Sequence, residues 1–453
     1  MSAVAQGEPR LAHERSERWV PALATVCGLL LVAVAAEIVI DAAAGPSPVV
    51  PKSPELVAWL TTPFGGGARL GERLGYRGFL IALLVSCGAY GTLAILARRF
   101  GARAISTRWA IFLLAALQLI VFVGPVLLST DVFSYVAYAR MGVEHGLNPY
   151  THGPDAILHD PVFKYVGHDW DRVATAYGPL YTLLSYPLAP LGLIGALWAM
   201  KLEALLASAG TLALTWRCAR ARGFDPVAAV LVVGANPLYF LYALGGAHND
   251  LIMMLAMMAA VSLVAVGAPS ARREAGAAAW VVAGALIKAT VAVLLPFMIV
   301  SKRRLAPILG TVAALALGAV VGYAVFGIHG INVVAALNRD AAFVSTDSFA
   351  NEIAHLLGKP GVFPIDHDLL KAALVLIVLH LLWRTWRGYD WVAASGWALL
   401  AISVTSTWLL AWYILWPLPL AVVTRDRRLL AATLAIQGLF IIHQISPLLA
   451  PVQ

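Results

Sequence analysis

The chain has 453 residues, of which 60% are hydrophobic and only 12% are charged, whereas soluble globular proteins carry about 25% charged residues. This composition excludes a soluble fold, because so few charges cannot cover a surface that faces water. The 38 glycines and 25 prolines interrupt apolar runs, as is typical of kinked membrane helices. The sequence therefore predicts one membrane-embedded domain over residues 1–453.

The formal net charge of +8 does not indicate a nucleic-acid partner. The basic residues form short clusters between apolar runs, and such clusters mark the cytoplasmic loops of membrane proteins. The cysteines are widely spaced and form neither a metal motif nor a disulfide framework; they are Cys27, Cys87 and Cys218. We predict a bilayer as the surroundings and no nucleic acid as a partner.

Apolar segments long enough to cross a bilayer recur along the whole chain, so the predicted fold class is an all-α polytopic membrane protein. The predicted spans are 20–44, 79–97, 109–128, 197–216, 226–245, 249–267, 304–327, 368–386, 390–410, 412–423 and 429–450. Lysine and arginine positions predict a cytoplasmic tail at 1–19 and cytoplasmic short loops. The long loops 45–78, 129–178 and 328–367 are then predicted to lie outside.

Two further apolar stretches, 180–195 and 277–300, conflict with these sides if each of them crosses the membrane once. Full crossings would place basic clusters on the outer side. We therefore predict that both stretches are re-entrant, with Pro187, Pro190 and Lys288 as turning points. Re-entrant backbone is tolerated where protein or a water-filled cavity surrounds it, so a cavity is predicted as well.

A polar segment, 129–150, follows the third predicted span, which ends at Leu128. Asp131 therefore lies at the outer membrane boundary, and residues 132–145 favour a helix that Gly146 can end. A carboxylate at this place fits a general base at a lipid-facing site. The alternative is a helix N-cap, a role that aspartate performs well and that spacing alone favours. The two roles are compatible, since a cap fixes the direction of a carboxylate.

A second polar cluster joins two apolar runs at the outer side, where two glycines precede His248, Asn249 and Asp250. An ordinary turn explains the glycines and the Asn–Asp pair, and either of those residues can cap the next helix. A turn does not also need a histidine, so a binding role and a structural role both stay open here.

Lys288 lies inside an apolar stretch, where a cation is costly and usually has an anionic partner or a wet cavity. The alternative is a lysine near a helix end that reaches the membrane interface. We expect a phosphate group as its partner.

The 129–178 loop contains several histidines and aspartates, but their spacing matches no familiar zinc or calcium pattern. These residues are His152, Asp155, His159, Asp160, His168 and Asp169. We predict no metal site. Aromatic residues at 177–181 and 412–416 are typical of side chains at the level of the lipid headgroups.

These segments together resemble the polyprenol-phosphate-mannose-dependent α-(1→6)-mannosyltransferases, which belong to the GT-C class of membrane glycosyltransferases. The block from Gly245 to Asp250 is the most distinctive of the shared motifs. The others are Asp131 with Phe133-Ser134-Tyr135, Gly146 to Tyr150, Tyr177-Gly178-Pro179-Leu180, Asn236-Pro237-Leu238, Lys288, and Trp412-Tyr413 through Trp416-Pro417-Leu418-Pro419. Ala411 departs from the family pattern, which has a proline there.

The resemblance implies a GT-C-type bundle of about 11–13 membrane helices with re-entrant segments and amphipathic helices in the outer loops. It implies transfer of mannose, with inversion, from a polyprenyl-phosphate donor to a mannan or glycolipid acceptor, with α-(1→6) linkage, at the outer face of the plasma membrane. It makes 129–178 the outer catalytic loop and Asp131 the catalytic base, and it requires no cofactor. The substrate-binding residues that it implies are Arg140, His145, Asn148, Tyr150, Tyr177, His248, Asn249, Asp250, Lys288, Trp412 and Tyr413.

Two alternatives remain at the level of the sequence. The first is a GT-C enzyme for another sugar, such as arabinofuranose or glucose. The second is a transporter or flippase of a lipid-linked solute, which explains Lys288 and the re-entrant stretches equally well. Transporter sites usually lie near the bilayer midplane, whereas the polar residues here gather at the outer boundary.

Overall fold

The computed structural model describes residues 19–44, 47, 49–52, 54, 75–331 and 343–449. All regular secondary structure within these ranges is helical, which confirms the prediction of an all-α polytopic membrane protein. Most of the predicted tail 1–19, most of the loop 45–78 and part of the loop 328–367 lie outside the described residues. Among the described helices, 5 are long and apolar enough to cross a membrane unaided, or 6 if one bent pair is counted as a span.

The helices that frame the molecule are numbered here in chain order. They are α1 (Trp19–Ala44), α2 (Gly75–Phe100), α3 (Thr107–Val123), α4 (Asp131–Val143), α5 (Pro179–Ser185), α6 (Gly192–Ala221), α7 (Pro226–Gly234), α8 (Asp250–Ala265), α9 (Ala271–Ala285), α10 (Leu294–Lys302), α11 (Leu305–Phe326), α12 (Phe349–Leu356), α13 (Pro364–Trp386), α14 (Trp391–Thr405), α15 (Leu418–Ala421) and α16 (Arg427–Leu449). Short 3₁₀ segments join several of them, and a π-helical segment covers Leu238–Leu244.

Two predicted spans have different boundaries in the structure. The predicted span 226–245 is broken, because α7 and the π-helical segment meet at a bend of 52° where Pro237 follows Asn236. The predicted span 109–128 is a helix only to Val123, and residues 124–130 form an irregular strip of chain before α4.

Lys201 of α6 explains why α3 can end inside the protein. Its buried ammonium donates to the carbonyl oxygens of Val121, Gly124 and Pro125, at 3.4, 2.9 and 3.4 Å. The last carbonyl groups of a helix have no partner within the helix, and a cation is favourable at that end. The charged side chain thus replaces a helical turn and directs the strip 124–130 toward the start of α4.

The basic loops meet at one end of the molecule, here called the basic end. Arg222 pairs with Asp390, and Arg304 pairs with Glu274 at 3.4 Å. A polar cavity at the same end is lined by Arg98, Asp225, Arg425, Asp426 and Arg427. The loops that the sequence assigns to a common side therefore contact one another.

The stretch 277–300 forms a helical hairpin of α9 and α10. The Glu274–Arg304 pair holds both ends of this hairpin at the basic end. Its tip contacts the start of α5, where the amides of Gly178 and Leu180 donate to the carbonyls of Ile287 and Leu286, each at 3.0 Å. A Cβ on Gly178 would lie 2.1 Å from the Leu286 oxygen, so only glycine allows this approach. The hairpin enters and returns, as the re-entrant prediction requires.

The stretch 180–195 also fails to cross the molecule. Helix α5 and the 3₁₀ turn Tyr186–Leu191 pack against α4 and the first turns of α6. Helix α6 alone then extends to the basic end, where Arg222 follows its last residue, Ala221. The two stretches predicted to be re-entrant, 180–195 and 277–300, therefore both reach the end opposite the basic loops. That end holds the candidate site.

Candidate functional site

Asp131 is the first residue of α4, and Thr130 occupies the N-cap position without a side-chain hydrogen bond. The N-cap interpretation of Asp131 is therefore wrong. Its carboxylate is partly exposed, and the hydroxyl of Ser129 accepts a hydrogen bond from the Asp131 amide at 3.1 Å. The negative charge is favourable at a helix N-terminus, but the side chain remains available for other contacts.

The turn between the π-helical segment and α8 is fixed against the strip before Asp131. The Leu127 amide donates to the Gly245 carbonyl at 2.9 Å. A Cβ on Gly246 would lie 2.4 Å from the His248 ring, so glycine is required beside that imidazole. Ala247 adopts the left-handed conformation, with φ of 51°, a strained state for a residue with a Cβ. The glycines of this block thus serve to bring His248 next to Asp131.

His248 lies between Asp131 and Trp412. Its Nδ1 is 3.4 Å from the Asp131 carboxylate, and its ring stacks on the Trp412 indole with 3.5 Å between ring centroids. The imidazole is fully buried, and neither ring nitrogen has a hydrogen-bond partner among the described residues. The same holds for the Trp412 indole N–H. Buried polar groups in native proteins are nearly always satisfied, so these groups indicate a place where a polar ligand or water completes the structure.

Asn249 and Tyr177 both contact Tyr135, which lies one turn after Asp131 on α4. The Tyr135 hydroxyl donates to the Asn249 side-chain oxygen at 3.5 Å, and its ring meets the Tyr177 ring edge to face at 4.8 Å. Asn249 stands at the N-cap of α8 without a capping hydrogen bond from its side chain. Its side-chain nitrogen, Nδ2, has no hydrogen-bond partner among the described residues.

Asp250 and Lys288 form a buried ion pair beside this group. The Lys288 ammonium donates to both Asp250 oxygens, at 2.8 and 3.0 Å, and the Trp416 indole N–H donates to the same carboxylate at 2.7 Å. The ammonium also lies 4.2 Å from the centre of the Tyr413 ring, within the range of a cation–π interaction. The partner of Lys288 within the protein is thus a carboxylate, whereas the sequence led us to expect a phosphate group.

A cavity of about 350 Å³ opens in front of these residues, which is within the usual size range of ligand pockets. Asp131, Tyr177, Lys288 and Tyr413 line it, and His248, Asn249 and Asp250 lie behind its wall. The opposite wall comes from α13, from the last turn of α14 and from the segment that follows it. Its members are His367, Leu370, Lys371, Leu374, Ile402, Thr405, Ser406, Thr407, Trp408 and Leu410.

The basic residues on the opposite wall are absent from the sequence prediction. His367 and Lys371 are four residues apart on α13 and so share one face of that helix. The sequence signal that could have identified them is a histidine and a lysine at this spacing beside an apolar run. Lys371 has no ion-pair partner within the described part of the chain. It is the cation most available to a ligand in this cavity.

Four predicted binding residues stabilise the loop after α4 instead of lining the cavity. Arg140 donates to both Asp160 oxygens at 2.9 Å, and His145 contacts the same carboxylate at 2.8 Å. Asn148 donates to the Phe326 carbonyl at 2.7 Å. The Tyr150 hydroxyl donates to the Tyr177 carbonyl at 2.9 Å, and so this residue positions a wall of the cavity.

Glu144, His145 and Asp160 lie close enough together to offer three ligand atoms to a metal ion. The Arg140 guanidinium, however, donates to Asp160 and pairs with Glu144 at 2.7 Å. This cation already pairs with both carboxylates. The group is therefore an ion-pair network that anchors the loop to α4.

Asp160 gives this loop a pH dependence. Burial alone would raise the pKa of Asp160, but hydrogen bonds from His145, the Val162 amide and Arg140 outweigh it and lower the pKa. A lowered pKa stabilises the folded state above the ordinary carboxyl pKa of about 4, and this stability is lost as the pH falls through the folded value. We expect Asp160→Asn to unfold at lower temperature than wild type at pH 6, and this difference to shrink below about pH 4.

The measurement is thermal unfolding of the purified protein across pH, with Asp155→Asn as the control because Asp155 is an exposed carboxylate of the same loop. A constant difference between wild type and Asp160→Asn over this range would contradict the assignment.

Comparisons with known proteins give a consistent result. Residues 22–304 match a family model described as alpha-(1->6)-mannopyranosyltransferase, N-terminal domain, and residues 367–447 match the MptB C-terminal domain. Alpha-(1->6)-mannopyranosyltransferase A of Mycobacterium tuberculosis is 28% identical over 83% of this chain and 75% of its own length. The protein of the same name from Corynebacterium glutamicum is 32% identical over 40% of this chain and 36% of its own length. No solved structure gave a significant match.

Proposed function

Because the chain belongs to the alpha-(1->6)-mannopyranosyltransferase family, we propose that it transfers mannose from a polyprenyl-phosphate carrier to a hydroxyl of a mannan or glycolipid acceptor. The family supports mannosyl transfer with α-(1→6) linkage. The observation that carries the proposal is a single cavity bordered by a carboxylate, Asp131, and by lysines on two of its walls. A base and a site for a phosphate leaving group are the two requirements of this reaction.

In this mechanism Asp131 is the catalytic base. The acceptor oxygen attacks C1 of mannose while the bond from C1 to the phosphate oxygen breaks, and the bonding electrons leave with the polyprenyl phosphate. The proton of the acceptor hydroxyl passes to the Asp131 carboxylate. A general base must lie within hydrogen-bond distance of the proton that it accepts. Attack from the face opposite the phosphate inverts C1, so a β-linked donor gives an α-linked product.

The leaving phosphate is placed between Lys288 and Lys371. Lys288 is held by Asp250, and an ammonium has three N–H donors, so it can still donate to a phosphate oxygen. Lys371 and His367 face the same cavity from α13, and positive charge near the departing oxygens stabilises the transition state. Lys371 forms no competing ion pair within the described chain. We therefore assign to Lys371 the main role in binding the negatively charged phosphate.

The remaining predicted residues act at different distances from the sugar. Tyr177 and Tyr413 line the cavity and supply aromatic surface for a sugar ring. His248 and Trp412 position Asp131, while Asn249 acts through Tyr135. Asp250 is a positioning residue for Lys288. Arg140, His145, Asn148 and Tyr150 hold the loop that contributes Trp170 to the cavity wall.

The polyprenyl tail has a route along α13. Leu370 and Leu374 line the cavity, whereas Leu369 and Leu376 of the same helix are 61% and 67% exposed. An apolar helix with one face in the cavity and one face outward leads from the site into the lipid. An outer-face site is supported by the basic residues gathered at the opposite end of the molecule.

The test of the function is incubation of the purified protein with polyprenyl-phosphate-mannose and a mannoside acceptor, followed by linkage analysis of the product. We expect a new α-(1→6)-linked mannose. Movement of the intact lipid-linked sugar without any new glycosidic bond would overturn the proposal in favour of transport, and another linkage or another active donor would correct its substrate.

Lys371→Met should weaken use of the donor by about 10–100-fold, because a hydrogen bond to a charged group contributes about 1.5–3 kcal/mol. The loss should fall on kcat/KM for the donor and leave the KM for the acceptor unchanged. Lys164→Met is the matched control, since Lys164 is an exposed lysine outside the cavity. Equal activity of the two variants would remove Lys371 from the phosphate site.

A further inference from the structure

A second cavity, here called the α2–α16 groove, lies between those two helices and has a volume of about 600 Å³. Its walls are mainly apolar, and several wall residues are also exposed at the molecular surface. Leu84, Ile95 and Ile442, for example, are 47%, 65% and 56% exposed. In a membrane protein such residues face lipid, so the groove opens sideways into the bilayer.

Two glycines keep this groove open. Gly91 of α2 and Gly438 of α16 both line it, and a Cβ on either would meet no atom within 4 Å. Glycines that face a neighbouring membrane helix usually allow close packing. Here the space is left unfilled by the protein, although an empty apolar space forfeits contacts along its walls. A chain of methylene groups from outside the protein would restore those contacts.

The charged side chains that line the groove are both arginines. Arg98, near the end of α2, and Arg427, the first residue of α16, lie at its basic end, and neither forms an ion pair with a described carboxylate. They also line the neighbouring polar cavity, where the carboxylates are those of Asp225 and Asp426. Asp225 accepts from the first amides of α7, and Asp426 accepts from the Trp397 indole, so neither is paired with these arginines. Two like charges at one mouth repel each other, and an anion placed between them relieves that repulsion.

We propose that the α2–α16 groove binds an acidic phospholipid of the bilayer, with its phosphate between Arg98 and Arg427 and one acyl chain over Gly91 and Gly438. The arginines match a negatively charged headgroup and the open apolar channel matches an acyl chain. Guanidinium groups also bind phosphate oxygens with favourable geometry. The site is separate from the cavity at Asp131 and does not depend on the proposed sugar transfer.

The floor of the groove links this site to the rest of the fold. The Asn236 amide donates to the Gln437 side chain at 2.8 Å, and Gln437 donates to the Ile414 carbonyl at 3.0 Å. Asn236 stands at the bend before the π-helical segment, and Ile414 follows Trp412 and Tyr413. A lipid in the groove therefore rests on the residues that hold two segments of the sugar-transfer cavity.

The experiment is native mass spectrometry of the full chain in detergent with equal amounts of phosphatidylglycerol and phosphatidylcholine of identical acyl chains. We expect wild type to retain phosphatidylglycerol in at least tenfold excess. The variant Arg98→Gln/Arg427→Gln should lose this preference. The control Arg217→Gln/Arg220→Gln, which alters two arginines in the last turns of α6 at the basic end, should keep it. Equal retention of both lipids by wild type, or a preference unchanged in Arg98→Gln/Arg427→Gln, would overturn the proposal.

The location in the groove is tested by filling it. Gly438→Leu and, separately, Gly91→Leu should reduce the bound phosphatidylglycerol severalfold. Gly88→Leu is the control, because Gly88 also has open space around its Cβ position but does not line the groove. Retention of the lipid by both groove variants would place it elsewhere, and an equal loss in Gly88→Leu would do the same.

Discussion

Asp131→Asn is expected to reduce sugar transfer by about 10²–10⁴-fold, the usual contribution of a general base. Asparagine has nearly the same size as aspartate but cannot accept the acceptor proton. The carboxylate lies 3.4 Å from the His248 ring, and the side chain does not cap α4. The fold should therefore tolerate the change. The measurement is kcat with both substrates saturating, together with the midpoint of thermal unfolding.

Asp155→Asn serves as the matched control, since it removes an exposed carboxylate from the loop that follows α4. It should leave kcat unchanged. Asp131→Asn should still bind the donor, because Lys288 and Lys371 are intact in that variant. Wild-type kcat in Asp131→Asn would assign the base to another group, whereas loss of donor binding and of thermal stability together would show that Asp131 has a structural role instead.

The position of Asp131 at the end of the apolar chain before α4 could be predicted, because hydropathy alone reveals that boundary. The same holds for the hairpin α9–α10, whose return to the basic end follows from the positions of arginine and lysine alone. The error in the capping prediction has a cause that is distant in the sequence. Thr130, the last residue of the strip 124–130, takes the N-cap position. That strip exists because Lys201, far away in the chain, binds the last carbonyl groups of α3.

Contacts between distant segments could not be predicted in this way. The stacking of His248 on Trp412 and the pairing of Lys288 with Asp250 depend on how three segments pack. The family resemblance implied that Arg140 binds substrate, but its guanidinium lies against Asp160. Lys371 was missed because one lysine in the first turns of an apolar helix is also what membrane-interface anchoring requires.

Asp250→Ala is expected to have the largest effect on stability. Asp250 is 1% exposed, and its carboxylate accepts hydrogen bonds from Lys288 and from Trp416. Removal of one member of a buried ion pair leaves the other charge without compensation and costs about 3–5 kcal/mol. We therefore expect a marked fall in the midpoint of thermal unfolding, with loss of transfer, measured on the protein in detergent or in a reconstituted bilayer.

The double variant Asp250→Ala/Lys288→Met separates stability from function. Removal of both charges leaves no uncompensated buried ion, and replacement of a buried pair by apolar residues is often close to neutral. The double variant should therefore unfold near the wild-type temperature and still lack most transfer activity, because the cavity has lost a phosphate-binding cation. Full activity with restored stability would show that the pair only supports the fold. A double variant as unstable as Asp250→Ala would show that the lost Trp416 hydrogen bond, and not the unpaired Lys288 charge, causes the instability.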